Sequence, residues 1–492
     1  MNLQVIEKEL KDQAKLVKEK GASKFTVKSN IHKINLNSIS PNAIRVVTSL
    51  TKAGYKAYLV GGCVRDLILG KNPKDFDVCT SATPQQVTKV LKNSRIIGRR
   101  FKIVHVNFGR DIIEVSTFRS AKRASGNERR SSDDGMLVAD NAYGTSEIED
   151  SQRRDFTINA LYYDVGSQTV LDFNAGLYDL LKHQIELIGD PDTRYKEDPV
   201  RMIRACRFAA KLDFDISPRT LNPIDEHLPL LSNISNARMY EEINKLFLTG
   251  HGEKSFERAL DMNLIDHLFP MLNGLIRNQV YISFVKNALA NSDVRARQDK
   301  PNRTHFLYSV LLWGAFYQKI LHTYKELQLL ENQEERKKIF GMAHAIIKKE
   351  NTIALIPELV EQDITNLWFD NLLMIELASH EDLIESFYKK KNFRACYDFM
   401  ILRCKIEPLL SYCVKVYEPY YERSLELKRE MEEDRAQHKG KKKKNKKTRL
   451  KRKLNAEIDR YLAMDFEDSK LRHNKNEVLA KTRAWRRDVG LD

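Results

Sequence analysis

From residue 42 to about 120, short apolar runs alternate with stretches that carry helical spacing. "AYLVGG" (57–62), "IVHVNFG" (103–109) and "IIEVSTF" (112–118) read as strands, because apolar and β-branched residues dominate over lengths too short for helices. "TPQQVTKVLKN" (83–93) reads as a helix, with Thr83 as its N-cap and Pro84 at its first position. The polar, Gly/Ser-rich run "SAKRASGNERRSSDDGMLVADNAYG" from 120 has no periodicity and predicts a long mobile loop to about 150. Beyond about 176 the strand signals thin out. "DPVRMIRACRFAAKL", "ARMYEEINKLFLTG" and "EKSFERALDMNLIDHLF" carry apolar faces at the helical period, and such patterning continues to about 435. No internal repeat is visible. The expected fold class is α+β: a charged, loosely structured extension (1–41), a small mixed α/β head (42–175), an all-helical neck (176–290) and body (291–430), and a disordered basic tail (431–492).

Composition narrows this little. A 492-residue chain with 42% hydrophobic residues has room for roughly three globular domains. The longest apolar stretch, "FLYSVLLWGAFYQKI" (306–320), falls short of the ~18 residues of a membrane span. The amino terminus mixes acids and bases and lacks the apolar core of a secretory signal, so a cytoplasmic location is expected. Cysteines 63, 79, 206, 396, 404 and 413 form no CxxC pair, which argues against a disulfide framework or a Cys-based zinc site. Charge is more informative. Residues 439–453, "KGKKKKNKKTRLKRK", hold eleven Lys or Arg and no acid, leaving only +5 of the net +16 for the rest. Such a block repels itself, and becomes favourable opposite a polyanion through counterion release. A solubilising tail, an anionic membrane contact and an RNA-decay protein are alternatives. RNA is the preferred partner, and no DNA is expected.

The chemistry starts at "KDFDV" (74–78). In an extended segment Asp75 and Asp77 share one face and Phe76 points to the other. Two carboxylates that close repel unless a cation lies between them. Upstream, Gly61 and Gly62 of "GGCVRD" leave the backbone bare at a strand-to-helix turn, where amides can approach a phosphate. Arg65, one helical turn on, can reach the same anion. Glu114 sits between Ile113 and Val115, a setting that is costly for an acid without a partner. If its strand lies beside that of Asp75 and Asp77, three hard oxygen ligands converge on a site suited to Mg²⁺, with Mn²⁺ as a substitute. Two such ions clamp an in-line phosphoryl displacement.

This combination resembles the polymerase-β nucleotidyltransferase superfamily. "RRDFTINALYYD" (153–164), "DFNAGLYDL" (172–180) and "EDPVRMIRACRFAAKLDF" (197–214) are similar to the ordered motifs of the class II transfer-RNA nucleotidyltransferase and bacterial poly(A) polymerase family. The resemblance implies that Asp75 and Asp77 bind the catalytic metals with Glu114. It implies that Arg154 and Asp155 touch the nucleotide, with Asn159 in the same motif, making Asp155 a fourth catalytic candidate. Cys63, where the family usually has Gly or Ala, should crowd the phosphate turn. "EDPVR" by itself reads as a helix capped by Asp198 with Pro199 next and Arg201 on the same face. An Asp acceptor beside an Arg donor also complements the edge of adenine or cytosine, and the resemblance gives Asp198 and Arg201 that selecting role. Arg204 and Arg207 continue the row toward phosphates.

"IIGRRFKIVHV" (96–106) and "NFRACYDFMILRC" (392–404) are similar to segments of the bacterial poly(A) polymerases, although Asn107 departs from the apolar or small residue expected there. The implied activity is template-independent addition of AMP from ATP to RNA 3′ ends, promoting RNA turnover. A CCA-adding transfer-RNA nucleotidyltransferase is the close alternative, and a non-catalytic RNA-binding protein on a transferase scaffold is the alternative of another class. Tyr308, Trp313 and Phe316 could stack RNA bases, but at helical spacing they read first as core.

Overall fold

The computed structural model describes residues 6–98, 102–120, 143–324, 327, 329–330 and 332–437. Among these, the alternating segments of the first half form one eight-stranded mixed sheet. Its strands are β1 (Phe25–Lys28), β2 (Ala57–Val60), β3 (Asp77–Thr80), β4 (Ser94–Ile97), β5 (Ile103–Phe108), β6 (Asp111–Thr117), β7 (Leu161–Asp164) and β8 (Thr169–Asp172). Their order is β1-β8-β7-β2-β3-β6-β5-β4. Only the β3–β6 pair of this sheet is parallel.

Register partners project to the same face, so each row across the sheet meets a single environment. One row reads Val27, Val170, Tyr163, Leu59, Val78, Val115, Val104, Ile96. All are buried except Ile96 on the last strand, which is 37% exposed. At about 1.5–3 kcal/mol per buried large apolar side chain, this face is a main source of the sheet's stability. The adjacent row on the other face reads Thr26, Leu171, Tyr162, Val60, Asp77, Glu114, His105, Arg95. Its middle is covered: Val60, Tyr162 and Leu171 pack with Cys79, Phe118 and Phe173 in a buried cluster. Its charged end stays open, with Asp77, Glu114 and Arg95 exposed and His105 half-buried.

Helices α1 (Glu7–Lys20), α2 (Ser29–His32), α3 (Pro41–Lys52), α4 (Gly62–Ile68), α5 (Pro84–Val90), α6 (Glu147–Gln152), α7 (Gly176–Leu181), α8 (Pro191–Glu197) and α9 (Val200–Leu212) accompany the sheet. The expected helix at 83–93 is α5, closed by a reciprocal bond pattern between Thr83 and Gln86. The loosely structured extension expected over 1–41 is corrected in its described part. There α1 buries Leu10, Gln13 and Ala14, and β1 pairs with β8 at the sheet edge. Gln13 donates to the Asp172 carbonyl at 3.3 Å, and Lys182 pairs with Glu7 at 2.8 Å. Four apolar positions among many charges give the helix a weak periodic signal, and β1 is held by a partner almost 150 residues away.

The chain divides into two compact units between Ser235 and Asn236, a division that the expected neck (176–290) spans. In the second unit the described elements are helical, as the periodicity predicts, including Thr304–Thr323, Gln333–Glu350, Glu358–Leu377, Phe393–Cys404 and Ser411–Gln437. Tyr308, Trp313 and Phe316 are core residues: Trp313 stacks on Tyr317 at 4.9 Å and Phe316 on Trp368 at 4.5 Å. Buried Arg403 lies over Trp313 and is held by both Glu407 oxygens at 3.0 and 2.8 Å and by Asn371 at 2.7 Å. These bonds offset the cost of burying its charge. No disulfide joins the six cysteines, five of which are buried. Among the described residues no helix is long and apolar enough to cross a membrane. Most of the expected loop (121–142) and the lysine-rich block 439–453 lie outside the described residues.

Candidate active site

The open end of the charged row contains the expected acids. Phe76 is buried and anchors the start of β3, so the chain presents Asp77 on the accessible face. The parallel β3–β6 ladder sets Asp77 beside Glu114. Although the Asp77 side chain is accessible, partial burial pushes its pKa up to about 6. Glu114 and, more weakly, Asp75 push the same way, against the pull of Arg154. On its other side Glu114 meets His105, whose Nε2 lies 3.3 Å from Glu114 Oε1. Asp75 precedes the strand, outside the ladder that orients Asp77. The expected convergence of three acids is therefore partial: Asp77 and Glu114 are neighbours, and no group of three potential ligands is closed among the described residues. The donor set nevertheless fits a hard divalent cation, being all carboxylate with mutual repulsion that a cation would relieve.

The Gly61–Gly62 turn stands beside this pair. Gly61 has φ +80°, a conformation suited to glycine, and a Cβ there would lie 3.6 Å from Arg154 Nη1 and from the Asn159 carbonyl. Gly62 opens α4. Cys63 does not crowd the turn: it is buried beneath it, with its thiol donating to the Val60 carbonyl at 3.3 Å. Arg65 differs from expectation. Its guanidinium is buried, hydrogen-bonded to Asn159 Oδ1 and to Asp66 at 2.9 and 2.7 Å, and so braces the turn from inside.

That brace continues. Asn159 Nδ2 donates to Asp155 Oδ1 at 3.2 Å, and Asp155 Oδ2 accepts two bonds from Arg204 at 2.8 and 2.6 Å. Burial would raise the Asp155 pKa, but Arg204, the Phe156 amide and Asn159 together hold it down at about 2. A chain of polar contacts thus runs Asp66–Arg65–Asn159–Asp155–Arg204, from α4 to α9. Phe208, which the sequence reading passes over, is its apolar floor: Arg65, Arg204 and Arg207 lie 5.4, 5.3 and 4.4 Å from its ring. Its position four residues after Arg204 was the available signal.

Arg154 bonds Asp150 and the Tyr162 hydroxyl at 3.1 Å each, while its Nη1 lies near Gly61. The "EDPVR" stretch needs a correction. Asp198 ends α8, Pro199 holds the cap position of α9, and the Asp198 carbonyl accepts the Arg201 amide at 3.1 Å. Pro199 already has helical backbone angles (φ −62°, ψ −22°) and Asp198 is extended, so the difference from the capping pattern is one residue in the helix boundary. Arg201 is buried and donates to the Arg194 carbonyl at 2.5 Å, with Glu197 3.4 Å away. Burial, then Arg194, lowers its pKa to about 10, against the acids Asp198 and Glu197. Arg194, also absent from the sequence reading, clamps Glu197 and the carbonyls of Arg153 and Arg154. It thereby ties the two motifs together.

Comparison with known proteins places this geometry. Residues 57–186 match the poly A polymerase head domain, 213–275 match the probable RNA and SrmB-binding site of polymerase A, and 334–453 match the polymerase A arginine-rich C-terminus. Poly(A) polymerase I of Salmonella typhimurium is 40% identical over 383 residues, 76% of this chain and 81% of that one. The chain belongs to the class II poly(A) polymerase/CCA-adding family. As a member of that family it is a nucleotidyltransferase. The CCA-adding enzyme of Lactobacillus helveticus is 39% identical over 222 residues, covering 45% of this chain and 53% of that one. Among solved structures, the Bacillus stearothermophilus CCA-adding enzyme in complex with CTP shares the family fold, with TM-score 0.51 and 20% identity over 92% of this chain and 100% of that one.

Proposed function

We propose that the protein is a template-independent poly(A) polymerase that adds AMP from ATP to RNA 3′ ends and so promotes RNA turnover. The observation that carries this is the extent of similarity. The 383 residues aligned with the Salmonella poly(A) polymerase I exceed the first unit's span, 1–235, and so enter the second. Similarity to the Lactobacillus CCA-adding enzyme stops at 222 residues. The description matched at 213–275 supports RNA as the partner of the helical neck.

In this reading the RNA 3′-hydroxyl attacks the α-phosphorus of ATP and gives up its proton to solvent, a new P–O bond forms, and pyrophosphate leaves with the electrons of the broken bond. Asp75, Asp77 and Glu114 would hold Mg²⁺. When bound, such a cation acidifies the attacking hydroxyl and neutralises phosphate charge. The bare backbone at Gly61 and Gly62 lets the triphosphate approach the turn that Arg65 braces from behind. Arg154, beside Gly61, supplies positive charge at the same place. Asp155 holds Arg204 in position on α9, and Arg204 with Arg207 meets phosphate oxygens. Asp198 and Arg201 select the base: an acceptor beside a donor suits adenine or cytosine and excludes guanine and uracil, with Arg201 using the guanidinium N–H groups that the Arg194 carbonyl leaves over. The basic block 439–453 adds salt-sensitive, sequence-independent RNA affinity.

The test is primer extension with Mg²⁺ and each nucleotide separately, on oligo(A) and on transfer RNA lacking its terminal CCA. A long ladder on oligo(A) with ATP alone is expected. A stop after three nucleotides on the transfer RNA, needing CTP and ATP, would replace this reading with the CCA-adding one.

A further inference from the structure

The charged row does not end at the candidate metal ligands. His105 of β5 is the register partner of Glu114, as Asp77 is on the other side, so the three side chains share one face of adjacent strands. Neighbouring strands lie about 4.8 Å apart, which is within reach of one side chain to the next. The His105 Nε2–Glu114 Oε1 distance of 3.3 Å is an ion-pair contact, just beyond the range of about 2.7–3.2 Å for an N–H···O hydrogen bond, and a small swing of the carboxylate would close it. The His105 side chain is 19% exposed and that of Glu114 is 53% exposed, so the imidazole is the fixed member and the carboxylate the one free to swing. Among the described residues His105 Nδ1 is buried with no hydrogen-bond partner.

We propose that His105 is a positioning residue for nucleotidyl transfer: an imidazole that donates its Nε2–H to Glu114 and thereby turns the second carboxylate oxygen toward Asp77. The inference rests on the transferase reading of the site given above. The geometry selects the tautomer. A proton on Nδ1 would be buried without an acceptor among the described residues, whereas a proton on Nε2 has a carboxylate in front of it. Donation to one oxygen of a ligating carboxylate leaves the other for the cation, the usual division of labour between an outer residue and a ligand. Val104 and Val106, on either side of His105, are buried in the opposite face, so β5 cannot rotate the ring away without exposing them. The segment 96–106, similar to the poly(A) polymerases, would then owe part of its pattern to this one donor.

Three measurements on the full chain test it. Histidine side-chain nitrogen NMR on the wild-type protein, with His105→Gln as the assignment control, should show the Nε2–H tautomer. A proton on Nδ1 instead would overturn the proposal, whatever the enzyme does. Mn²⁺ binding without nucleotide, followed by electron paramagnetic resonance, should weaken about 10-fold or more in His105→Leu, the lower end for loss of such a support. His105→Gln keeps an N–H donor at similar reach and should recover most of the binding. In the primer assay His105→Leu should lower kcat by a similar factor with KM for ATP within about twofold, again with rescue by glutamine. Equal loss in His105→Gln and His105→Leu would show that ring packing matters and the donor does not, and unchanged Mn²⁺ binding in both would also refute the role. Absence of transfer by the wild-type protein would sink the polymerase reading itself, while the tautomer would still decide the contact.

Discussion

Replacing Asp155 with Asn tests the brace beneath the site in isolation. Asp155 accepts from Arg204 twice, from the Phe156 amide at 2.7 Å and from Asn159 at 3.2 Å, and its side chain is only 12% exposed. Its pKa falls from 3.8 to about 2 despite burial, so its partners favour the charged form by more than desolvation disfavours it. At about 1.4 kcal/mol per pKa unit, that difference stabilises the folded state at neutral pH by about 2 kcal/mol. The sign follows from linkage. A depressed carboxyl contributes its full stability above the unfolded value near 4 and loses it as pH falls through about 2, with about half remaining at pH 3. Asn keeps the shape and an acceptor for the Phe156 amide but removes the charge. Asp155→Asn should therefore be about 2 kcal/mol less stable than wild type at pH 7, and the gap should narrow steadily below pH 4. The chain's tryptophans, Trp313, Trp368 and Trp485, all lie beyond Ser235. Calorimetry combined with tryptophan fluorescence can therefore assign the shifted transition to the first unit. A gap under about 0.5 kcal/mol at pH 7, or one that persists undiminished at pH 3, would refute the reasoning.

Asp77→Ala should abolish AMP transfer in the primer assay while leaving the melting temperature unchanged or slightly raised, because it removes a like charge beside Glu114; retained transfer would overturn the metal-site assignment. Asp179 behaves in the opposite sense to Asp155. Burial raises its pKa to about 7 in spite of the Thr157 hydroxyl bond at 2.6 Å, with Glu186 and Asp172 adding to the rise. The folded chain keeps a proton there that the unfolded chain has lost, so stability should decline as pH rises from about 4 to about 7, and Asp179→Asn should flatten that slope in a melting series. Gly176→Ala places a Cβ 2.2 Å from the Thr157 carbonyl oxygen, backbone that carries Asn159 two residues on. It should cost about 2–3 kcal/mol in urea unfolding. Gly61→Ala, strained by φ +80° but with contacts no closer than 3.6 Å, should cost only about 1–2 kcal/mol.

Much of this protein is written in short-range pattern. Period-two runs announce β2, β5 and β6, the Thr83–Pro84 pair opens α5, and the 3.6-period faces extend into the second unit as helices. The acids at 75, 77 and 114 and the turn at Gly61–Gly62 declare themselves through residue types that are costly where they stand. These signals are legible because propensity, capping and alternation act over a few residues.

The strand order and register belong to the tertiary structure. Nothing local states that residues 105, 114 and 77 form one row, or that β1 closes the edge beside β8, because ladder partners far apart in the chain are chosen by which faces can be buried together. The same cause explains the two side chains whose surroundings differ from the motif reading. Arg65 is drawn inside by Asn159 and Asp66, and Arg201 by the carbonyl of Arg194. A guanidinium's role follows from the acceptors packed around it, and only the folded chain assembles those acceptors. The sequence by itself determined the family, the elements with strong local pattern and the chemistry available. Packing decided which of those groups face the reaction and which support it from behind.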